Sequence, residues 1–373
     1  MGLSIQYGRI DCMSGKKAFT NFVFFSAGPV GDHVILIDFA NRFYASTGIS
    51  SIIVMKHPNR FLADFALPYQ DHISYVSFVG SRGKFAMAQL ALKSIFLKYC
   101  YINVLPIPPP GYYKYFAYCI RFLSRSRFVG FNLEGSRNFP KGKGSSSFLG
   151  KKNYISAKID TNLFYQEANR MLSFLGFKSA DSLPSIRYIN HPEVLTKNNL
   201  EENRYLVFHL CSSHPDRSLP VDRWNVILSE LRKKLKDTPF IFTGAEKDKG
   251  FIQESLQNIS GNNIILCGVL PTQELLTLHA KAKLNVTVHT GNAHFINMLH
   301  VPTVNLNIKG IYFFKFYYNE NSLELVSKEG CTCDPHEREC TMVNYKGVEY
   351  MSCLFNIPDE TIIESIIDTY LKA

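Results

Sequence analysis

KLNVTVHTGNAHFINMLHVPTVNLN, residues 283–307, decides the fold. LNVTV and TVNLN are short apolar runs without an alternating polar face, as strands buried on both faces of a parallel sheet require. Between them lie Gly291 and GNAHFINMLH, which has the length and spacing of a short helix. Strand, tight turn, helix and strand make one βαβ unit, and such units belong to α/β domains with parallel sheets.

The same unit repeats on both sides of this stretch. Upstream, YLVFHL is a strand, DRWNVILSELRKKLK an amphipathic helix, PFIFTG a strand, EKDKGFIQESLQN a helix, NIILCG a strand and PTQELLTLHAKA a helix. Downstream, PDETIIESIIDTYLKA reads as a closing helix with an acidic first turn, which suits a helix N-terminus. Near the start, NFVFFSA, SIIVM and HISYVSFVG read as strands. DHVILIDFANRFYAST, ended by Gly48, and the run through KFAMAQLALKSIFLKY read as helices. Between about residues 105 and 160 the pattern blurs. There YYKYFAYCIRFLSRSRFVGF suggests an amphipathic helix whose basic side is either merely solvated or turned to a membrane or acceptor, and KGKGSSSFLGKK suggests a basic loop.

With 373 residues the chain is long enough for two domains. The expected architecture is α/β, with two Rossmann-like doubly wound domains facing across a cleft. Residues 1–190 form the first and 203–357 the second, and SLPSIRYINHPEVLTKNNLEENR connects them. Residues 358–373, the closing helix, are expected as a candidate to pack back on the first domain. Ligands in such folds bind at the carboxyl ends of the strands.

Hydrophobic residues make up 46% and charged residues 19%, the balance of a chain with cores rather than a disordered one. The formal charge of +10 points to an anionic partner. No nucleic-acid motif accompanies it, and the basic residues are spread along the chain, so nucleic acid is not expected. The most apolar stretch is interrupted by Lys93 and Lys98, which excludes a membrane span. Scattered cysteines in apolar surroundings suit a reducing compartment. Cys331, Cys333, Cys340 and Cys353 cluster near the C-terminus. Four thiolates there fit zinc or iron, disulfides, or reduced thiols stabilising a loop. The last is the expectation, so no metal is assigned.

Three loops carry the chemistry. GPVGD, with Gly28 and Gly31 before Asp32, joins the first strand to the first helix. Asp32 there either caps that helix or, facing a cleft, takes a proton from an attacking hydroxyl. HLCSSHPDRSLPVDRW, residues 209–224, sets Ser212, Ser213 and Arg217 between a strand and a helix, a composition suited to a diphosphate. HTGNAH, residues 289–294, brings Gly291 to a helix N-terminus, where the dipole and unpaired N–H groups favour an anion.

Together and in this order, the three segments resemble the heptosyltransferases, glycosyltransferase family 9. The likeness rests on GD at 31–32, HLCSSHPDRSLPVDRW at 209–224 and HTGNAHFINMLHVPTV at 289–304, with TGAE at 243–246 as a looser match. It covers the C-terminal half well and the N-terminal half mainly around Asp32. The resemblance implies a GT-B fold and an inverting transferase that needs no cofactor, moving heptose or a related sugar from a nucleotide diphosphate such as ADP-heptose. The implied acceptor is a lipopolysaccharide core or another surface glycan, an anionic glycolipid reached from the cytoplasm at the inner face of the inner membrane. Asp32 would be the general base. Ser212, Ser213, Arg217, Thr290 and Gly291 would hold the diphosphate. Glu246, His289 and His294 would lie near the nucleoside or sugar. His289 stands where the family usually has Asp, and an imidazole does not accept sugar hydroxyls as a carboxylate does; the donor sugar is therefore left open. An epimerase or hydrolase on the same scaffold, or a non-catalytic nucleotide- or glycan-binding relative, are the alternatives.

Overall fold

The structure, a computed structural model, describes residues 21–26, 30–55, 72–77, 80–97, 99–103, 127–134, 154–158, 172–173, 177, 185–309, 316, 319–332 and 340–373. The chain divides into two compact units, Met1–Pro184 and Ser185–Ala373.

In the first unit, strands β1 (Asn21–Ser26), β2 (Ser51–Met55), β3 (Ile73–Ser77), β4 (Tyr99–Asn103), β5 (Arg127–Glu134) and β6 (Tyr154–Lys158) form one sheet in the order β3-β2-β1-β4-β5-β6. All five pairings are parallel. Helix α1 (Val30–Thr47) follows β1 and helix α2 (Gly80–Phe96) follows β3. Phe22, Val23 and Phe24 are all buried, which is why their run carries no polar alternation. Phe22 and Phe24 pack on Phe39 and Phe43 of α1, with ring centroids 4.7–5.2 Å apart. Gly48 ends α1 in the left-handed region at φ +67°, and its N–H bonds Tyr44 O at 2.7 Å.

In the second unit, β7 (Leu206–His209), β8 (Phe240–Phe242), β9 (Asn263–Ile265), β10 (Leu284–Val288), β11 (Thr303–Leu306) and β12 (Ser322–Leu325) form a second parallel sheet, ordered β12-β11-β10-β7-β8-β9. Its helices are α3 (Glu193–Lys197), α4 (Val221–Lys234), α5 (Lys249–Ser255), α6 (Thr272–Ala280), α7 (Gly291–Met298), α8 (Ser352–Phe355) and α9 (Asp359–Lys372). Strands β13 (Met342–Tyr345) and β14 (Val348–Met351) form an antiparallel hairpin. Its two-residue loop, Lys346–Gly347, has φ of +51° and +83°, the sign that a primed turn demands.

Several expectations are corrected. Residues 127–131, read as the end of an amphipathic helix, lie in β5; residues 112–126 lie outside the described set. The helix read through Tyr99 ends at Phe96, and Tyr99 with the unassigned Cys100–Asn103 forms strand β4. The stretch read as a connection contributes α3, whose Val194 and Leu195 pack with Tyr205, Val207 and Ile241 of the second unit. The closing helix α9 also packs within the second unit, with Ile362, Ile363 and Ile366 buried in that core beside Trp224 and Leu228. Arg223 holds its entrance. Its Nε donates to Asp359 Oδ1 at 2.8 Å, Nη2 donates to Ile357 O at 2.6 Å, and Nη1 donates to Phe355 O.

Candidate functional site

Each sheet reverses its strand order once. In the second unit β7 is followed by β8 and β9 on one side, while β10 returns to its other side. Two loops therefore part at the carboxyl ends of neighbouring strands and leave a crevice, the place where α/β sheets bind ligands. These loops are 210–220 after β7 and 289–290 after β10. The register sets His209 beside Thr287, so His289 and Thr290 emerge just past the end of β7. In the first unit the reversal falls between β1 and β4. Asp32 and Gly31 lie in the first turn of α1, immediately after β1. The side chain of Asp32 and the whole of Gly28 are outside the described residues.

The loop after β7 is closed from below by Ser218. Its hydroxyl donates to Leu210 O at 2.6 Å and lies 3.4 Å from Nε1 of Trp224, a fully buried anchor of α4. A 3-10 turn at Pro215–Arg217 then brings Arg217 up, half-buried, and β14 packs against this turn. The hairpin is in turn fixed to α4, since Lys346 Nζ reaches Asp222 Oδ2 at 2.8 Å and the Tyr345 hydroxyl donates to the same oxygen. Ser212 is half-buried and accepts a bond from His214 N at 3.4 Å, while Ser213 is exposed.

Across the crevice, Thr290 is the N-cap of α7 in an extended conformation, and its hydroxyl makes no capping bond. The first N–H groups of α7 face a position where an anion is stabilised by the helix dipole. Burial, and to a smaller extent the positive charge of Arg217 on the loop after β7, disfavours protonation of the His289 ring. His289 and His294 are mutually close, and His294 meets the Phe316 ring edge-on at 5.5 Å. Burial lowers the pKa of His289 to about 4 and that of His294 to about 3. Both rings are therefore neutral near pH 7.

The tautomer of His289 is fixed. Asn307 Oδ1 accepts the N–H of Ile308 at 2.9 Å, which sets the amide orientation. The same oxygen faces His289 Nδ1 at 2.6 Å, so Nδ1 carries the proton and Nε2 holds the lone pair. The ring consequently has one acceptor where a carboxylate has two oxygens. It is a weaker hydroxyl acceptor than Asp, as its residue type implies.

A second buried chain ties the site together. Asn285 Nδ2 donates to His279 O at 3.1 Å, which points its Oδ1 at His279 Nδ1, 2.7 Å away. Thr243 Oγ1 accepts from His209 Nδ1 at 3.1 Å, and its one proton is shared between Phe208 O at 3.4 Å and His279 Nε2 at 3.5 Å. His209 Nε2 accepts from Asn292 Nδ2 at 3.0 Å. The chain thus runs in one direction, from the first turn of α7 through β7 and the end of β8 to α6 and β10, and both imidazoles are neutral. Burial lowers His209 to about 4 and His279 to about 3. Its effect is to fasten the N-terminus of α7 to β7.

Glu246 is exposed on a 3-10 turn after β8. It is held by contact with Gly268 after β9. Gly268 has φ +71°, and a Cβ there would lie 2.8 Å from Glu246 N. Glu246 lies at the carboxyl end of β8, the strand beside β7, and the charges of the neighbouring Lys247 and Asp248 act on Cys211 in the loop after β7.

Thr243, His279, Asn285 and Asn307 escaped the sequence reading. Their signal was polarity inside continuous apolar strands and helices, because a buried amide or imidazole needs a partner. Of the cysteine cluster, Cys353 is buried and its Sγ lies 3.3 Å from Lys309 N; Cys331 and Cys340 are half-buried. Cys333 lies outside the described residues. Among the described residues no group of three or more His, Cys, Asp or Glu side chains is placed to hold a metal ion.

Two parallel sheets of doubly wound type, each reversing its strand order once, define a two-domain α/β protein of the GT-B class. The model of glycosyltransferase family 9 (heptosyltransferase) matches residues 150–341, and the chain belongs to that family; it is a glycosyltransferase. A family 9 glycosyl transferase from Veillonella parvula superposes with a TM-score of 0.67 at 15% identity, covering 95% of this chain and 98% of that one. The ADP-heptose lps heptosyltransferase II of E. coli gives 0.61 at 14% identity, with 94% and 99% covered. The E. coli heptosyltransferase WaaC with ADP gives 0.60 at 15% identity, again with 94% and 99% covered. At these identities the likeness establishes the fold. No curated protein sequence matches significantly.

Proposed function

We propose that this chain is an inverting, metal-independent glycosyltransferase that moves a heptose, or a closely related sugar, from an ADP-linked donor to an anionic glycolipid such as a lipopolysaccharide core. The observation that carries the donor half is that the loop bearing Arg217, after β7, and the N-terminus of α7, after β10, emerge at the carboxyl ends of neighbouring strands, with the Arg217 charge felt at His289. That placement supplies a guanidinium and unpaired backbone donors to one diphosphate, flanked by Ser212, Ser213, Thr290 and Gly291. The names of two similar structures, one with ADP and one an ADP-heptose enzyme, support an adenine nucleotide.

In the transfer, an acceptor hydroxyl oxygen attacks the anomeric carbon from the side opposite the diphosphate. The new C–O bond forms as the bond to the diphosphate oxygen breaks. Asp32 takes the hydroxyl proton, and the nucleoside diphosphate leaves with its charge stabilised by Arg217 and the α7 N–H groups. The positive charge is thus the protein's own, in keeping with a sequence that contains no Asp-x-Asp. His289 Nε2 accepts one sugar hydroxyl, His294 backs that ring, and Glu246 contacts the nucleoside. The proposed place of action is the cytoplasm, in peripheral contact with the inner face of an anionic membrane. No described helix is long and apolar enough to cross one, and the charge of +10 favours such a surface.

Asp32→Asn tests this reading. ADP binding, followed by calorimetry, should persist within about threefold, while transfer falls by about 10³-fold or more. Undiminished transfer would remove Asp32 from the chemistry. Product formation without any acceptor would favour the epimerase or hydrolase. Tight ADP binding without turnover by the unaltered chain would make it a binding protein.

A further inference from the structure

Helix α2 is apolar on both of its faces. Its inner face, Met87, Leu90, Ala91 and Ser94, packs with Val23, Val54 and Tyr101, and the Ser94 hydroxyl bonds that of Tyr101. On the opposite side Phe85, Leu92 and Phe96 are 65%, 59% and 85% exposed. At about 100° per residue these three point within about 40° of one another, and Ser94 lies about opposite them. Large apolar side chains grouped on an exposed helix face mark an interaction surface, such as one in contact with lipid.

The charge in this part of the sequence is of one sign. Residues 72–133 contain eight Lys or Arg and no Asp or Glu. Arg82, Lys84 and Lys93 lie on α2 itself, and Lys98 just beyond it. An exposed aromatic and aliphatic stripe on a helix whose charged residues are all cations is the chemistry of a helix that lies in the interface of an anionic bilayer. A second copy of this chain carries the same cations on α2, so an anionic surface complements this helix better than another copy does.

We propose that the outer face of α2 is a docking surface for an anionic lipid bilayer, with Phe85, Leu92 and Phe96 entering the headgroup boundary. This deepens the peripheral contact offered above and rests on that contact, not on the transfer chemistry. The full chain is sedimented with phosphatidylethanolamine–phosphatidylglycerol vesicles and with pure phosphatidylcholine vesicles. The unaltered chain should bind the first and not the second, and Phe85→Ser with Phe96→Ser should lower partition at least tenfold. Phe96→Trp keeps the face apolar and should blue-shift in emission on the anionic vesicles. Equal binding by the serine variant, or unshifted emission from Phe96→Trp, overturns the docking surface while leaving peripheral contact standing. No binding by the unaltered chain overturns both. Dimerisation that the serine variant abolishes, without vesicle binding, gives the face to a second copy and also overturns the proposal. None of these results bears on ADP binding by the second unit.

Discussion

Lowering the pH from 7 to 5.5 should remove much of the stability of the second unit. Four of its imidazoles, those of His209, His279, His289 and His294, are buried and hydrogen-bonded or ring-packed in neutral form. Burial lowers their pKa values to about 4, 3, 4 and 3. An unfolded histidine takes up its proton near about pH 6.5. Between these limits the unfolded chain binds more protons than the folded one, so the free energy of unfolding falls as pH falls. The stabilising term is fully present above about 6.5 and is lost on the way down toward 4. From pH 7 to 5.5 each ring loses about 1.2 kcal/mol, or about 5 kcal/mol for four, a large part of a typical domain's stability. Trp224, the one tryptophan in the sequence, is fully buried in this unit and reports its unfolding selectively. Urea titrations followed by its fluorescence should show proton uptake on unfolding that approaches four near pH 5.5. His294→Gln should lower that uptake by one. An uptake of one proton or fewer between pH 6.5 and 5 would refute the assignment of four buried neutral rings.

Two further outcomes follow from the same packing. Thr243→Val deprives the His209 and His279 rings of their shared hydroxyl and should cost about 3 kcal/mol in urea unfolding, with Thr243→Ser restoring most of it. Gly268→Ala combines a left-handed backbone with a Cβ 2.8 Å from the Glu246 backbone and should cost at least about 2 kcal/mol; a neutral result would show that the Glu246 turn moves without penalty.

By itself the sequence determined the alternation of strands and helices, because strands buried on both faces must be written as continuous apolar runs and the turns between them need glycine or a cap. It also determined the residue types in the loops around Arg217 and Gly291, since a site for an anion has to be spelled in cations, hydroxyls and helix starts. Tertiary structure decided what pairing across distant segments decides. Strands β4 to β6 are stabilised by neighbours far along the chain, so their mixed composition hid them. The seat of α9 depended on which core had room for Ile362 and Ile366. The proton positions on His209, His279 and His289 depended on amides and carbonyls contributed by other elements. The sequence shows that α2 carries more apolar residues than one buried face needs, but only packing shows which of them meet the sheet and which are left outward, because a helix repeats its pattern without marking where its neighbours are.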